Sequence, residues 1–120
     1  MNAIIHARDF TITPAIRYWI ERQLESALQR FDGEVTGVDV YLSDVNGPRG
    51  GNDKKVVMRT RLRGLPPVNV ITQCGDLYVA ISRSAKRLRR GVKRTLMKGR
   101  RVKPGKVLGL RRQVLETAVD

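Results

Sequence analysis

The chain has 120 residues, with 24 Lys and Arg against 11 acids, a formal net charge of +13 and a 41% apolar fraction. That length and apolar content fit one domain with a single modest core, and they exclude both a second core and wholesale disorder. The charge, with a pI near 11.1, points to a polyanionic partner, nucleic acid first and an anionic membrane surface second.

Cys74 is the single cysteine, which leaves no disulfide framework and no thiolate metal cluster, and fits a reducing compartment. The opening MNAIIHARDF lacks a charged leader followed by an apolar run. No apolar window approaches the roughly 20 residues that a bilayer span takes. The expected location is cytoplasmic, with no membrane partner.

NAIIHA predicts a first strand of about five residues. A helix follows from Thr13: this residue is an N-cap, and Pro14 sits at the first helical position, where its missing N–H costs nothing. Ile16, Trp19, Ile20, Leu24, Ala27 and Phe31 form one helical stripe, and the helix stops near Asp32-Gly33. EVTGVDVYLSDV alternates and predicts a strand with Val38, Val40 and Leu42 on one face. NGPRGGND, residues 46–53, reads as a hairpin loop. The next strand sets Val56, Met58, Thr60 and Leu62 against Val57, Arg59, Arg61 and Arg63. Leu65-Pro66-Pro67 is expected to turn the chain, and VNVITQ to form the last strand, with Val68 and Val70 inward.

Residues 76–101 carry ten Lys or Arg against one acid, Asp76. Asp76 suits a helix N-cap. Leu77, Ile81, Ala85, Leu88, Val92 and Leu96 occupy about 100° of a helical wheel. Arg83, Lys86, Arg87, Arg89, Arg90, Lys93 and Arg94 fill the remaining arc, a basic ridge about 20 Å long. Beyond Arg101 the pattern lapses. The helix joining the first two strands is a crossover, so those strands are parallel, and the rest form an antiparallel meander. The expected fold is a two-layer α+β domain, β-α-β-β-β-α, with a four-stranded mixed sheet and two helices on one face, in outline like a double-stranded-RNA-binding domain. Residues 1–101 form the domain and 102–120 a flexible basic tail.

Catalytic chemistry finds little support. His6 reads as a strand histidine and Cys74 as a bystander thiol. The acids show no metal-ligand spacing. The Gly-rich loop lacks the P-loop pattern and joins two strands; its Arg49, with Lys54 and Lys55 beside it, is a candidate backbone contact. No enzyme, metal, cofactor or small-molecule substrate is expected. No strand carries an RNP-type aromatic pair, there is no GXXG clamp, and the ridge has few Asn or Gln to read bases. Charge without readers implies recognition of phosphate geometry, that is, of a structured RNA's shape. A general RNA-binding or RNA-chaperone module, and a regulator of acidic protein partners, stand as alternatives.

Two segments resemble the ribosome hibernation factors, also called ribosome-associated inhibitor or hibernation-promoting factor proteins, in their short form. ITPAIRYWIERQLESALQRF is similar to that family's first helix. DLYVAISRSAKRLRRGVKRTL is similar to the Asp-x-Tyr-x-Ala-Ile-Asp opening of its long basic helix. Asp76, Tyr78, Ala80 and Ile81 match; the Asp after Ile is Ser82 here. The resemblance implies binding to small-subunit ribosomal RNA in the channel for messenger and transfer RNA, translation inhibition, and a stress-response role keeping ribosomes idle. It casts Arg83, Lys86, Arg87, Arg89, Arg90, Lys93 and Arg94, with Arg22 on the first helix, as phosphate contacts. Off the ribosome the protein is expected to be monomeric.

Overall fold

The computed structural model describes residues 2–8, 11–45 and 54–101, with side chains through residue 99. The 46–53 loop, with Arg49, and the 102–120 tail lie outside the described residues. The elements in chain order are β1 (Ala3–Arg8), α1 (Pro14–Leu28), β2 (Val35–Asp44), β3 (Lys54–Leu62), β4 (Leu65–Cys74) and α2 (Leu77–Arg101); a 3-10 turn at Gln29–Phe31 extends α1. The strands form one sheet in the order β1-β2-β3-β4. β1 runs parallel to β2, and β2, β3 and β4 are antiparallel neighbours. This is the α+β architecture that the alternation and the crossover predict.

Thr13 caps α1 as expected. Its Oγ1 accepts from the Ile16 N–H at 3.1 Å and its carbonyl from the Arg17 N–H at 3.0 Å, with Pro14 at the start of the helix. Ile16, Ile20, Leu24, Ala27, Leu28 and Phe31 are buried. Leu28 widens the predicted stripe, one turn on from Leu24. Trp19 is only half-buried: its indole N–H donates to the Tyr78 carbonyl at 3.1 Å, tying α1 to the start of α2.

Asp76 caps α2, its Oδ1 accepting from the N–H groups of Tyr78 and Val79 at 2.9 and 3.3 Å. Ile81, Leu88 and Val92 are fully buried beneath the helix, each such side chain contributing about 1.5–3 kcal/mol. Ala80, Ser84 and Thr95 are buried too. These small residues let α2 lie close to the sheet. Gly91 is the tightest point, because a Cβ there would stand 2.6 Å from Val68 Cγ1.

The inner face of the sheet presents Val38, Val40, Leu42, Val56, Met58, Thr60, Leu62, Val70 and Thr72, all buried. Val68 also points inward, half-buried. One expectation needs correction. Leu65-Pro66-Pro67 is not the turn; it opens β4, with Leu65 opposite Leu62. The turn is Arg63-Gly64, where Gly64 takes a φ of 71°, the left-handed region glycine reaches without strain. Two prolines fit a strand start here because β4 is an edge, where a missing N–H need not break the ladder.

Candidate nucleic-acid interface

Every predicted ridge residue, Arg83, Lys86, Arg87, Arg89, Arg90, Lys93 and Arg94, is exposed. They share α2 with no acid, since none occurs from Leu77 to Arg101. At about 1.5 Å per residue this helix is a rod of nearly 40 Å.

Packing divides the ridge into flanks. Arg83 and Arg87 lean over β4. Arg83 Nη1 stands 3.9 Å from Cys74 Sγ; Arg87 Nη1 donates to the Ile71 carbonyl at 2.6 Å and to Thr72 Oγ1 at 3.0 Å. Arg87, Arg90 and Arg94 line a groove between α2 and the Val68-Asn69 stretch of β4. Arg90, Lys93 and Arg94 surround the exposed Met97 at the outer surface. Arg89 lies on the opposite flank, beside Ser26 and Arg30 of the α1 end. Arg30 therefore extends the cationic surface. Sequence reasoning passes over it because its neighbour Arg89 is 59 positions away in the chain.

Arg22 points out of α1, its guanidinium carbon 5.8 Å from the centre of the Tyr18 ring, a cation–π placement that holds the charge at the surface. Of the loop candidates, Lys54 pairs with Asp44 at 3.0 Å across the β2–β3 ladder, so its charge is already matched. Lys55 faces the other way, on the open side of the sheet next to Ser43 and Gln73. His6 is also on the open side and stacks on Tyr41, ring centres 4.7 Å apart.

Three acids gather away from the ridge. Glu21, Glu25 and Asp32 line a groove with Ala3, on the β1 side of α1. Among the described residues no group of His, Cys, Asp and Glu could hold a metal ion, and no helix is long and apolar enough to cross a membrane.

These features define a two-layer α+β domain whose last helix is a cationic, acid-free rod. The chain belongs to the Sigma 54 modulation protein / S30EA ribosomal protein family, whose model matches residues 3–100; this is a family of ribosome-associated proteins and not an enzyme class. Among solved structures it is similar to the Protein Y N-terminal domain of Thermus thermophilus, at 34% identity and a TM-score of 0.66 over 78% of this chain and 98% of that one. It shares its fold with a ribosomal subunit interface protein from Coxiella burnetii, at 19% identity and a TM-score of 0.68, over 78% of this chain and 96% of that one. No curated protein matches the chain.

Proposed function

We propose that this protein is a ribosome-associated translation inhibitor that lays α2 against small-subunit ribosomal RNA in the messenger and transfer RNA channel and keeps the ribosome idle. The observation that carries the reading is the outward cluster of Arg83, Lys86, Arg87, Arg89, Arg90, Lys93 and Arg94 on a helix without a single acid. Guanidinium and ammonium groups in that density bind phosphate, and their stems bring no base-reading amides. Family membership supports the ribosome as the source of that RNA. Arg22 and Arg30 add peripheral charge, Lys55 is the remaining contact beside the loop, and the site of action is cytoplasmic. Free of the ribosome the protein is a monomer, since net charge keeps copies apart.

Co-sedimentation with purified ribosomes and separated subunits, at about 100 mM salt with excess duplex RNA as competitor, tests this. Retention on the small subunit, lost when messenger and initiator transfer RNA fill the channel, is expected. Migration with the duplex competitor would overturn it and leave a general RNA-binding module. The informative variant is Arg90→Glu with Lys93→Glu and Arg94→Glu. It spares Arg87, whose bonds to β4 give it a structural role as well.

A further inference from the structure

Both helices cover one face of the sheet. The other face carries a row of side chains running straight across all four strands: His6, Tyr41, Val57 and Ile71 are successive ladder partners. Tyr41 is 44% exposed and Ile71 54%. We propose that this row is a second RNA-binding surface, which seats one unpaired base against Tyr41. The proposal rests on the reading above only in taking RNA as the polyanion.

The geometry of the row supplies the slot. His6 and Tyr41 stack with ring centres 4.7 Å apart and planes 11° from parallel. That separation equals the strand spacing of about 4.8 Å, so both rings stand upright and face each other across the gap between β1 and β2. The second face of Tyr41 is turned towards β3. There the row holds the short Val57, and the next branched side chain, Ile71, lies two strands over, about 9.6 Å away. A planar ring needs roughly 3.5–4.0 Å to each neighbour. One base fits between Tyr41 and Ile71, above Val57.

Cations flank the slot on both sides. The adjoining row contains Arg8, Ser43, Lys55 and Gln73, and the row on the other side Ile4, Asp39, Arg59 and Asn69. Arg8, Lys55, Tyr41 and Val57 line a common groove. The acid in these rows, Asp39, has the Arg61 guanidinium 3.7 Å from its carboxylate. Ser43, Asn69 and Gln73 offer polar groups to base edges. A narrow apolar strip, widened by Ile4 at its β1 end and bounded across the other strands by Arg and Lys, matches a planar base with phosphates to either side, the combination by which single-stranded nucleic acid is held. A protein or lipid partner would favour a broader apolar patch. RNA meeting the ridge on one side and this slot on the other would grip the domain between its two faces.

The test uses the full chain and a single-stranded RNA hexamer carrying 2-aminopurine, whose fluorescence is quenched on stacking. Wild type is expected to quench it. Tyr41→Ala should abolish the quench and weaken hexamer binding roughly tenfold or more, whereas Tyr41→Phe should retain both. Val57→Phe fills the slot with Tyr41 left in place and should also abolish the quench; circular dichroism checks that each variant is folded. Quenching that survives Tyr41→Ala or Val57→Phe in folded protein overturns the proposal, as does no quenching by wild type. Tyr41-dependent binding to phosphatidylglycerol vesicles without quenching overturns it in favour of a lipid surface. Small-subunit co-sedimentation of the same variants separates the two readings: Tyr41-dependent quenching by a protein that ignores ribosomes would sink the ribosomal reading and leave this one standing.

Discussion

Arg87 on α2 donates to the main-chain carbonyl of Ile71 on β4 at 2.6 Å, so a member of the cationic ridge also occupies an acceptor of the sheet's edge strand. A guanidinium can do both because its remaining N–H groups still point to solvent. Arg87→Ala should lower stability by about 1 kcal/mol as well as weaken RNA binding. Arg87→Lys keeps the charge but not the fork, so it should recover binding more fully than stability. Urea unfolding and ribosome co-sedimentation, run in parallel, would separate the two roles.

Salt titration measures the ridge directly. With six to ten phosphate contacts, affinity should fall by roughly three to five decades between 50 and 200 mM salt. Replacing Arg90, Lys93 and Arg94 together by Gln should reduce the log–log slope by about 2–3. An unchanged slope would place the contacts elsewhere on the molecule.

Gly91 and Val68 should prove energetically coupled. Alanine is favoured over glycine in a helix by about 1 kcal/mol, yet a Cβ at Gly91 would stand 2.6 Å from Val68 Cγ1, and overpacking of this kind costs about 1–3 kcal/mol. Gly91→Ala alone is therefore expected to destabilise. In a Val68→Ala background the same change should stabilise, since the obstructing methyl groups are gone. A double-mutant cycle by chemical denaturation gives the sign.

Thr60 Oγ1 is fully buried without a hydrogen-bond partner, as is Ser84 Oγ. An unmet hydroxyl costs about 1–3 kcal/mol, and Thr60 sits between Val38 and Val68 in the ladder. Thr60→Val, which swaps the hydroxyl for a methyl of similar size, should raise the unfolding free energy by about 1 kcal/mol. A loss of stability would mean the hydroxyl is satisfied by water.

Leu88 is fully buried under α2. Leu88→Ala should cost about 2–5 kcal/mol, with binding lost only as the fold is lost. The outward Arg90 and Lys93 should show the reverse pattern when replaced.

Much of this architecture is legible locally. The Thr13-Pro14 start, the Asp76 cap, the inward alternation of Val38-Val40-Leu42 and the seven-residue ridge each depend on neighbours within a turn or a strand. What escaped depends on distant partners. Leu65-Pro66-Pro67 looks like a turn until β4 is known to be an edge. The side of α2 that carries Ala80, Ser84 and Thr95 looks too polar or too small for a core until Gly91 brings the helix down on Val68. His6 and Tyr41 are 35 positions apart, and only the β1–β2 register stacks them. Arg87 reads as purely superficial until β4 lies beneath it.

The separation of charge, with Glu21, Glu25 and Asp32 on the β1 side of α1 and the cations along α2, gives the molecule an electric polarity in addition to its net charge. Near a polyanion such a body experiences a torque as well as an attraction, and it turns its cationic helix forward before first contact. Productive encounters then become a larger share of all collisions. Ionic strength should accordingly act strongly on the association rate, since screening over about 10 Å at 0.1 M salt removes the guidance before it breaks the contacts.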